Sequence, residues 1–146
     1  MLSKLSQLIE LFAEHPDPAD RTQLLLSYAD KFKDVPPEVA RRPFDECDLV
    51  PHCESEAYVW AVPNADGTLK LHFAVENPSG VSAKALAVIL DRTLSGLPPE
   101  EMATVDPEIV EKIFRQNISM GKGMGLMSMV QRVQQLAKQA MSRNRR

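Results

Sequence analysis

Two cysteines, Cys47 and Cys53, are the side chains of this sequence best suited to covalent chemistry. Cys53 lies on a short loop that leads into an apolar segment at 57–62, and reactive side chains are often carried on loops that a rigid element positions. The functional interpretation is a nucleophilic or acceptor thiol, and the alternative is a small buried core residue. His52 favours the reactive thiolate if it is protonated, whereas Glu54 opposes it.

Other uses of the two cysteines remain open from the residues alone. Cys47 could resolve a sulfur intermediate on Cys53 or form a disulfide with it, but disulfide geometry needs a close approach that spacing does not guarantee. Zinc binding by these cysteines with His52 and His72 is disfavoured, because common zinc motifs place two cysteines two to four residues apart. In a reducing compartment we expect both to be thiols.

A second candidate region is the glycine-punctuated segment 121–125, which precedes the apolar stripe of the last helix. It is predicted to be a flexible loop. An anion-binding helix start is the alternative, although the full nucleotide-binding fingerprint is missing. The neighbouring methionines indicate either an adaptable surface or gap-filling core. Tyr58 and Trp60 share one strand face and are predicted to be core residues.

Length and composition are those of one globular domain. The chain has 146 residues and a net charge of -3, which argues against a nucleic-acid surface with its dense basic stripe. No signal peptide or membrane-spanning stretch is recognisable, so a cytoplasmic protein is expected. We expect a single domain over residues 1–146, with a core at about 5–140 and a frayed basic tail at 141–146.

Periodicity and turn residues predict two helices, two strands, a long helix, two short helices and a final helix. Ser3 is the expected N-cap of the first helix, and Asp17 followed by Pro18 is the expected start of the second. Residues 64–67 predict a hairpin turn between the strands. Gly96 is expected to end the long helix. This order indicates an α+β domain with helices covering a small antiparallel sheet.

The stretch from Val50 to Trp60 resembles the cysteine loop and following strand of the SufE family of sulfur-acceptor proteins. In that family a cysteine, one variable polar residue and then Ser or Thr precede a strand containing aromatic residues. Cys53, Ser55 and Tyr58 fit this pattern.

Two later segments add to the resemblance, which extends from about Leu5 to Ala137. Residues 97–101 resemble the short Pro-Glu-Glu helix of the family, and residues 125–129 resemble its closing Gly-Leu-x-x-Met motif. Lys122 lies where an Arg is common in the family. Lysine keeps the positive charge but lacks the planar fork of arginine.

The resemblance implies a three-stranded antiparallel sheet covered by helices. It also implies a sulfur-transfer accessory protein in which Cys53 accepts persulfide sulfur from a cysteine desulfurase, supported by Ser55 and Lys122. His52 departs from the residues usual before the family cysteine and is a supporting candidate because it favours the thiolate if it is protonated. The sulfur would pass to an iron-sulfur scaffold complex. The protein would need no cofactor or metal of its own, and the desulfurase would use pyridoxal phosphate.

Two other functions remain as alternatives. One is a non-covalent adaptor that modulates a cysteine desulfurase. The other is a thiol-redox protein that uses Cys47 and Cys53.

Overall fold

The computed structural model describes residues 2–144 of the chain. The elements follow the predicted order, with two additional 3-10 turns. The helices are α1 (Ser3–Ala13), α2 (Pro18–Ala29), α3 (Val81–Leu94), α4 (Pro99–Met102), α5 (Ile109–Phe114) and α6 (Met120–Asn144). The strands are β1 (Ala57–Pro63) and β2 (Leu69–Val75), and the 3-10 turns are Glu46–Asp48 and Arg115–Asn117. None of these helices is long and apolar enough to cross a membrane.

The start of α2 confirms one predicted cap, and the start of α1 corrects another. The Asp17 side chain accepts a hydrogen bond of 2.9 Å from the Ala19 N–H, and proline follows at the first helical position. Such a carboxylate satisfies a backbone donor that the helix itself leaves unpaired. The predicted N-cap at Ser3 is wrong, since Ser3 is already helical and Leu2 takes the cap position without a side-chain bond.

The sheet has two strands among residues 2–144, so the expected third strand is wrong. β1 and β2 pair antiparallel from Ala57–Val75 to Pro63–Leu69. In place of a third strand, one isolated bridge joins Leu49 to Tyr58. The Val50 N–H still donates to the Ala57 carbonyl at 2.8 Å, but the next residue, Pro51, has no N–H to continue a ladder, which explains why the pairing ends there.

The core lies between the inner face of the sheet, α3 and α6. Val59 and Leu71 on the strands and Ile89 on α3 are fully enclosed. On the outer face, Tyr58 and Trp60 are only half-buried. The expectation that these two aromatic residues are core is therefore corrected. Phe44 covers both, with ring centroids 5.0 Å from each.

The last helix begins earlier than expected. Residues 121–125, predicted to be a flexible loop, form the first turns of α6. At its other end α6 continues to Asn144, and so includes part of the segment for which a frayed tail was expected. Arg145 and Arg146 lie outside the described residues.

Candidate functional site

The Cys53 loop, residues 51–56, is a tight turn between two residues in left-handed backbone conformations. His52 has a φ of 59° and Glu56 a φ of 52°. The Glu56 N–H closes the turn by donating to the Cys53 carbonyl at 3.1 Å. The backbone of a residue other than glycine is strained in this left-handed region and stays there only where surrounding contacts hold it. The backbone around Cys53 must therefore be held by its neighbours.

Hydrogen bonds to the turn before α3 provide part of that support. The Asn77 N–H donates to the Ser55 carbonyl at 3.2 Å, and the Asn77 side-chain amide donates to the Glu54 carbonyl at 3.2 Å. The Glu76 N–H donates to the Glu56 carbonyl at 3.2 Å. These bonds continue the pairing of the two strands beyond their ends, and thus fix the loop to the rigid sheet.

Two glycines allow helices α6 and α3 to approach the loop. A Cβ atom on Gly125 would lie 3.1 Å from the His52 carbonyl oxygen and 3.3 Å from the Cys53 Cα. A Cβ on Gly80 would lie 2.7 Å from Val75 and 3.1 Å from Ser55. Both positions need a residue without a side chain because another chain segment passes close by. Gly125, one of the glycines in segment 121–125, therefore packs directly against the Cys53 loop.

A cavity of about 150 Å³ opens beside Cys53, between the loop and the first turns of α3 and α6. Cys53, Ser55 and Lys122 all line it, so the structure brings together three of the four candidates from the sequence. Cys53 is half-buried and packs against the core, whereas Lys122 is exposed. Lys122 contributes a positive charge to the lining and Glu54 a negative one.

His52, the fourth candidate, does not line this cavity. Its side chain is exposed, and its backbone packs against Gly125. The lining also includes polar residues that were not candidates from the sequence: Asn77, Ser79 and Ser82. The feature of the sequence that could have identified these residues is the turn at 77–80, which leads from the end of β2 into α3. Pairing the two strands brings that turn to Cys53.

Cys47 has a different environment on the 3-10 turn Glu46–Asp48. It is exposed, and its N–H donates to the Asp45 carboxylate at 2.9 Å. Hydrogen bonding to Asp45, with slight burial and the nearby charge of Asp48, raises the pKa of the Cys47 thiol. Both cysteines are free thiols. Between residues 2 and 144 no three His, Cys, Asp or Glu side chains are grouped to hold a metal ion.

A known protein family matches the part of the chain that forms this cysteine loop, the small sheet and most of the covering helices. The family model named SufE, described as an Fe-S metabolism associated domain, matches residues 6–137. The chain belongs to the SufE family. This membership associates the protein with iron-sulfur metabolism. The match includes the Cys53 loop, β1, β2 and most of α6.

Two further proteins are similar to this SufE-family chain. A chloroplastic quinolinate synthase from Oryza sativa subsp. japonica is 32% identical over 104 residues, which are 71% of this chain. The chain spans only 14% of the length of that synthase. The solution structure of a hypothetical protein from Thermus thermophilus shares 29% identity and superposes with a TM-score of 0.73. That comparison covers 95% of this chain and 96% of the other.

Proposed function

We propose that the protein accepts a sulfur atom on Cys53 from the persulfide of a cysteine desulfurase and passes it on for iron-sulfur cluster assembly. The observation that carries this proposal is the half-buried Cys53 on a strained, hydrogen-bonded turn beside a small polar cavity. Membership of the SufE family supports the same chemistry. The protein acts as an accessory to another enzyme and does not turn over a substrate alone.

The proposed step exchanges one sulfur-sulfur bond for another. The Cys53 sulfur attacks the terminal sulfur of the partner's persulfide, a new S–S bond forms on Cys53, and the bond to the partner's cysteine breaks. The partner's cysteine leaves as a thiolate and takes up the proton that Cys53 gives up. No oxidant or reductant is consumed, so the protein needs no redox cofactor for this step.

The size of the cavity suits this step better than a reaction with a small-molecule substrate. Ligand pockets usually have volumes of about 300–1,000 Å³. The Cys53 cavity has about 150 Å³, which is room for an additional sulfur atom with a few polar neighbours. Lys122 would stabilise negative charge on that sulfur, and the hydroxyl of Ser55 would donate a hydrogen bond to it. His52 contributes through its backbone, which shapes the turn.

The surface next to the loop suggests how a partner would dock. Tyr58, Trp60 and Phe44 form an aromatic cluster on this face, and Tyr58 and Trp60 are only half-buried. Arg42 lies over the Phe44 ring and pairs with Glu76, so the cluster carries charges of both signs at its edge. Aromatic side chains are frequent anchors at protein interfaces. We therefore expect the desulfurase, which carries its own pyridoxal phosphate, to contact this aromatic face. An iron-sulfur scaffold complex would receive the sulfur afterwards.

Intact-protein mass spectrometry tests the proposal directly. The protein is incubated with an active cysteine desulfurase and L-cysteine, and its mass is compared with that of Cys53→Ser and Cys47→Ser variants. We expect one added sulfur atom on the wild type and on Cys47→Ser, and none on Cys53→Ser. If the wild type gains no sulfur while the desulfurase turns over, the proposal is wrong.

The aromatic surface also supports a second candidate function, a non-covalent adaptor that modulates the desulfurase. An adaptor needs the surface but not the thiol. Full stimulation of the desulfurase by Cys53→Ser would favour this candidate. The thiol-redox alternative is less well supported, because the raised pKa of Cys47 leaves less of it as the reactive thiolate.

A further inference from the structure

A second cavity, of about 490 Å³, lies between the outer edge of β2, helix α3 and the segment 31–36. It shares no lining residue with the Cys53 cavity. Its volume is within the usual range of small-molecule sites. Nothing in the proposed sulfur transfer uses this region.

Among residues 2–144 two backbone donors on this strand edge have no hydrogen-bond acceptor, those of Phe73 and Val75, and of the two only Phe73 lines the cavity. In an antiparallel pair the N–H and C=O of one residue point to the same side, and those of Leu71 and Phe73 point away from β1. The Leu71 N–H donates to the Ser95 hydroxyl at 2.9 Å, and the Phe73 carbonyl accepts from the Val35 N–H at 2.9 Å. Among residues 2–144 the Phe73 N–H has no acceptor, although Phe73 is only 4% exposed. A buried donor without a partner is costly.

The charges that line the cavity are mainly positive. Its two acidic residues are already paired, Asp34 with Arg42 at 2.7 Å and Asp91 with Lys70. The remaining cations of the lining form no salt bridge with a carboxylate in the described part of the chain: Lys31, Lys33 and Arg92. The chain as a whole has a net charge of -3, so this concentration of positive charge is local.

The remainder of the lining is apolar. It includes Phe32, Ala87 and Val88. Pockets of this kind, with a mostly apolar wall and a few polar groups at one side, bind ligands that combine an apolar body with a charged end.

We propose that this cavity binds a small carboxylate that carries an aromatic or branched apolar body. The carboxylate accepts from the Phe73 N–H and is attracted by Lys33 and Arg92, while the apolar body packs on Phe32 and Val88. An added peptide strand is disfavoured, because the positions on either side of this N–H are already hydrogen-bonded to Ser95 and Val35. The inference is independent of sulfur transfer.

Two-dimensional NMR of the amide groups tests this inference with benzoate as the probe. We expect a saturable shift of the Phe73 amide and contacts between the benzoate ring and the Val88 methyl groups. Benzamide has the same ring without the charge, and acetate has the charge without the ring, so both should bind more weakly than benzoate.

Substitutions of exposed charged residues test the role of the positive charges without changing core residues. The double variant Lys33→Gln, Arg92→Gln should weaken benzoate binding by about fivefold, since it removes two exposed positive charges that attract the carboxylate. Lys138→Gln, an exposed change on α6, should leave binding unchanged. The inference is overturned if Phe73 shows no saturable shift up to about 10 mM benzoate, well above a millimolar dissociation constant. It is also overturned if benzamide binds equally well, or if an acidic peptide binds the β2 edge and benzoate does not.

Discussion

The Cys53 loop and the Cys47 turn carry the same side chain in opposite environments. Cys53 is half-buried on a turn that two left-handed residues, a close glycine and several backbone hydrogen bonds hold in place. Cys47 is exposed on a short 3-10 turn where the Asp45 carboxylate raises its pKa. In the proposed transfer, the backbone that positions the thiol and the groups around it would select Cys53, since exposure alone would favour Cys47.

Among the substitutions below, replacing Gly125 by alanine should have the largest effect on the rate of sulfur uptake by Cys53. The new Cβ would press on the backbone of His52 and Cys53, which hydrogen bonds prevent from moving easily. Because small misplacements of reacting groups are costly, we expect the rate of sulfur uptake to fall on the order of tenfold. The rate is measured by mass spectrometry at successive times with a saturating desulfurase.

Gly123→Ala is the matched control for this variant. A Cβ at Gly123 would lie 3.5 Å from the Ile118 Cδ1, an ordinary contact, and Gly123 does not line the Cys53 cavity, so uptake should be unchanged and the helix should gain roughly 0.5–1 kcal/mol in urea unfolding. Equal losses of uptake in both variants would contradict the assigned role of the close approach at Gly125.

Removing the charge of Lys122 should have a smaller effect. Lys122→Gln leaves a polar side chain at the Cys53 cavity but loses the cation, and we expect sulfur uptake to slow by up to about fivefold. The difference from wild type should shrink at high salt, because exposed charges are screened. Lys138→Gln, farther along α6, should behave as wild type. A salt-independent loss would indicate that Lys122 acts in another way.

The strain at His52 predicts a change in stability. His52→Gly should raise the free energy of unfolding by about 0.5–1 kcal/mol, because relief of the left-handed strain exceeds the entropy cost of glycine. Glu54→Gly, in the same loop without a positive φ, should lower it. Urea unfolding followed by circular dichroism measures both. A lower free energy of unfolding in His52→Gly would mean that the His52 side chain makes a stabilising contact in the wild-type protein.

The smallest effect is expected at Cys47. Asp45→Asn keeps an oxygen that accepts from the Cys47 N–H, but it replaces the carboxylate whose hydrogen bond with the thiol is the main cause of the raised pKa of Cys47 and also removes a nearby negative charge. A lower pKa means more thiolate at pH 8, so alkylation of Cys47 by iodoacetamide should be a few-fold faster. An unchanged alkylation rate would show that Asp45 does not control this thiol.

Local chemistry made some parts of the fold predictable from the sequence. The N-cap at Asp17 and the hairpin turn at 64–67 depend on residues within a few positions of each other, and both are found. Gly67, with a φ of 87°, takes the left-handed conformation that such a turn requires. Gly96 has a φ of 92° just after the Ser95 C-cap of α3, so the helix ends near the predicted position, but the Gly96 N–H donates to the Leu69 carbonyl of β2 and not to the helix.

Contacts between distant segments account for what the sequence did not predict. Glycines at 121–125 favour a loop by propensity, but packing of Gly125 on the Cys53 loop makes this segment helical. Ser79 and Ser82 join the cavity only because the sheet register brings the start of α3 to Cys53. Lys122 was identified through family resemblance, since nothing in its local sequence indicates a neighbouring cysteine.

Peptide mapping of the sulfur in the wild-type protein tests the central claim most directly. After incubation with a desulfurase and L-cysteine, the persulfide is trapped by alkylation, the protein is digested, and the peptides that contain Cys47 and Cys53 are compared. The account predicts the additional sulfur on the Cys53 peptide, with Cys47 alkylated as a plain thiol. Sulfur on Cys47, or shared equally between the two peptides, would contradict it.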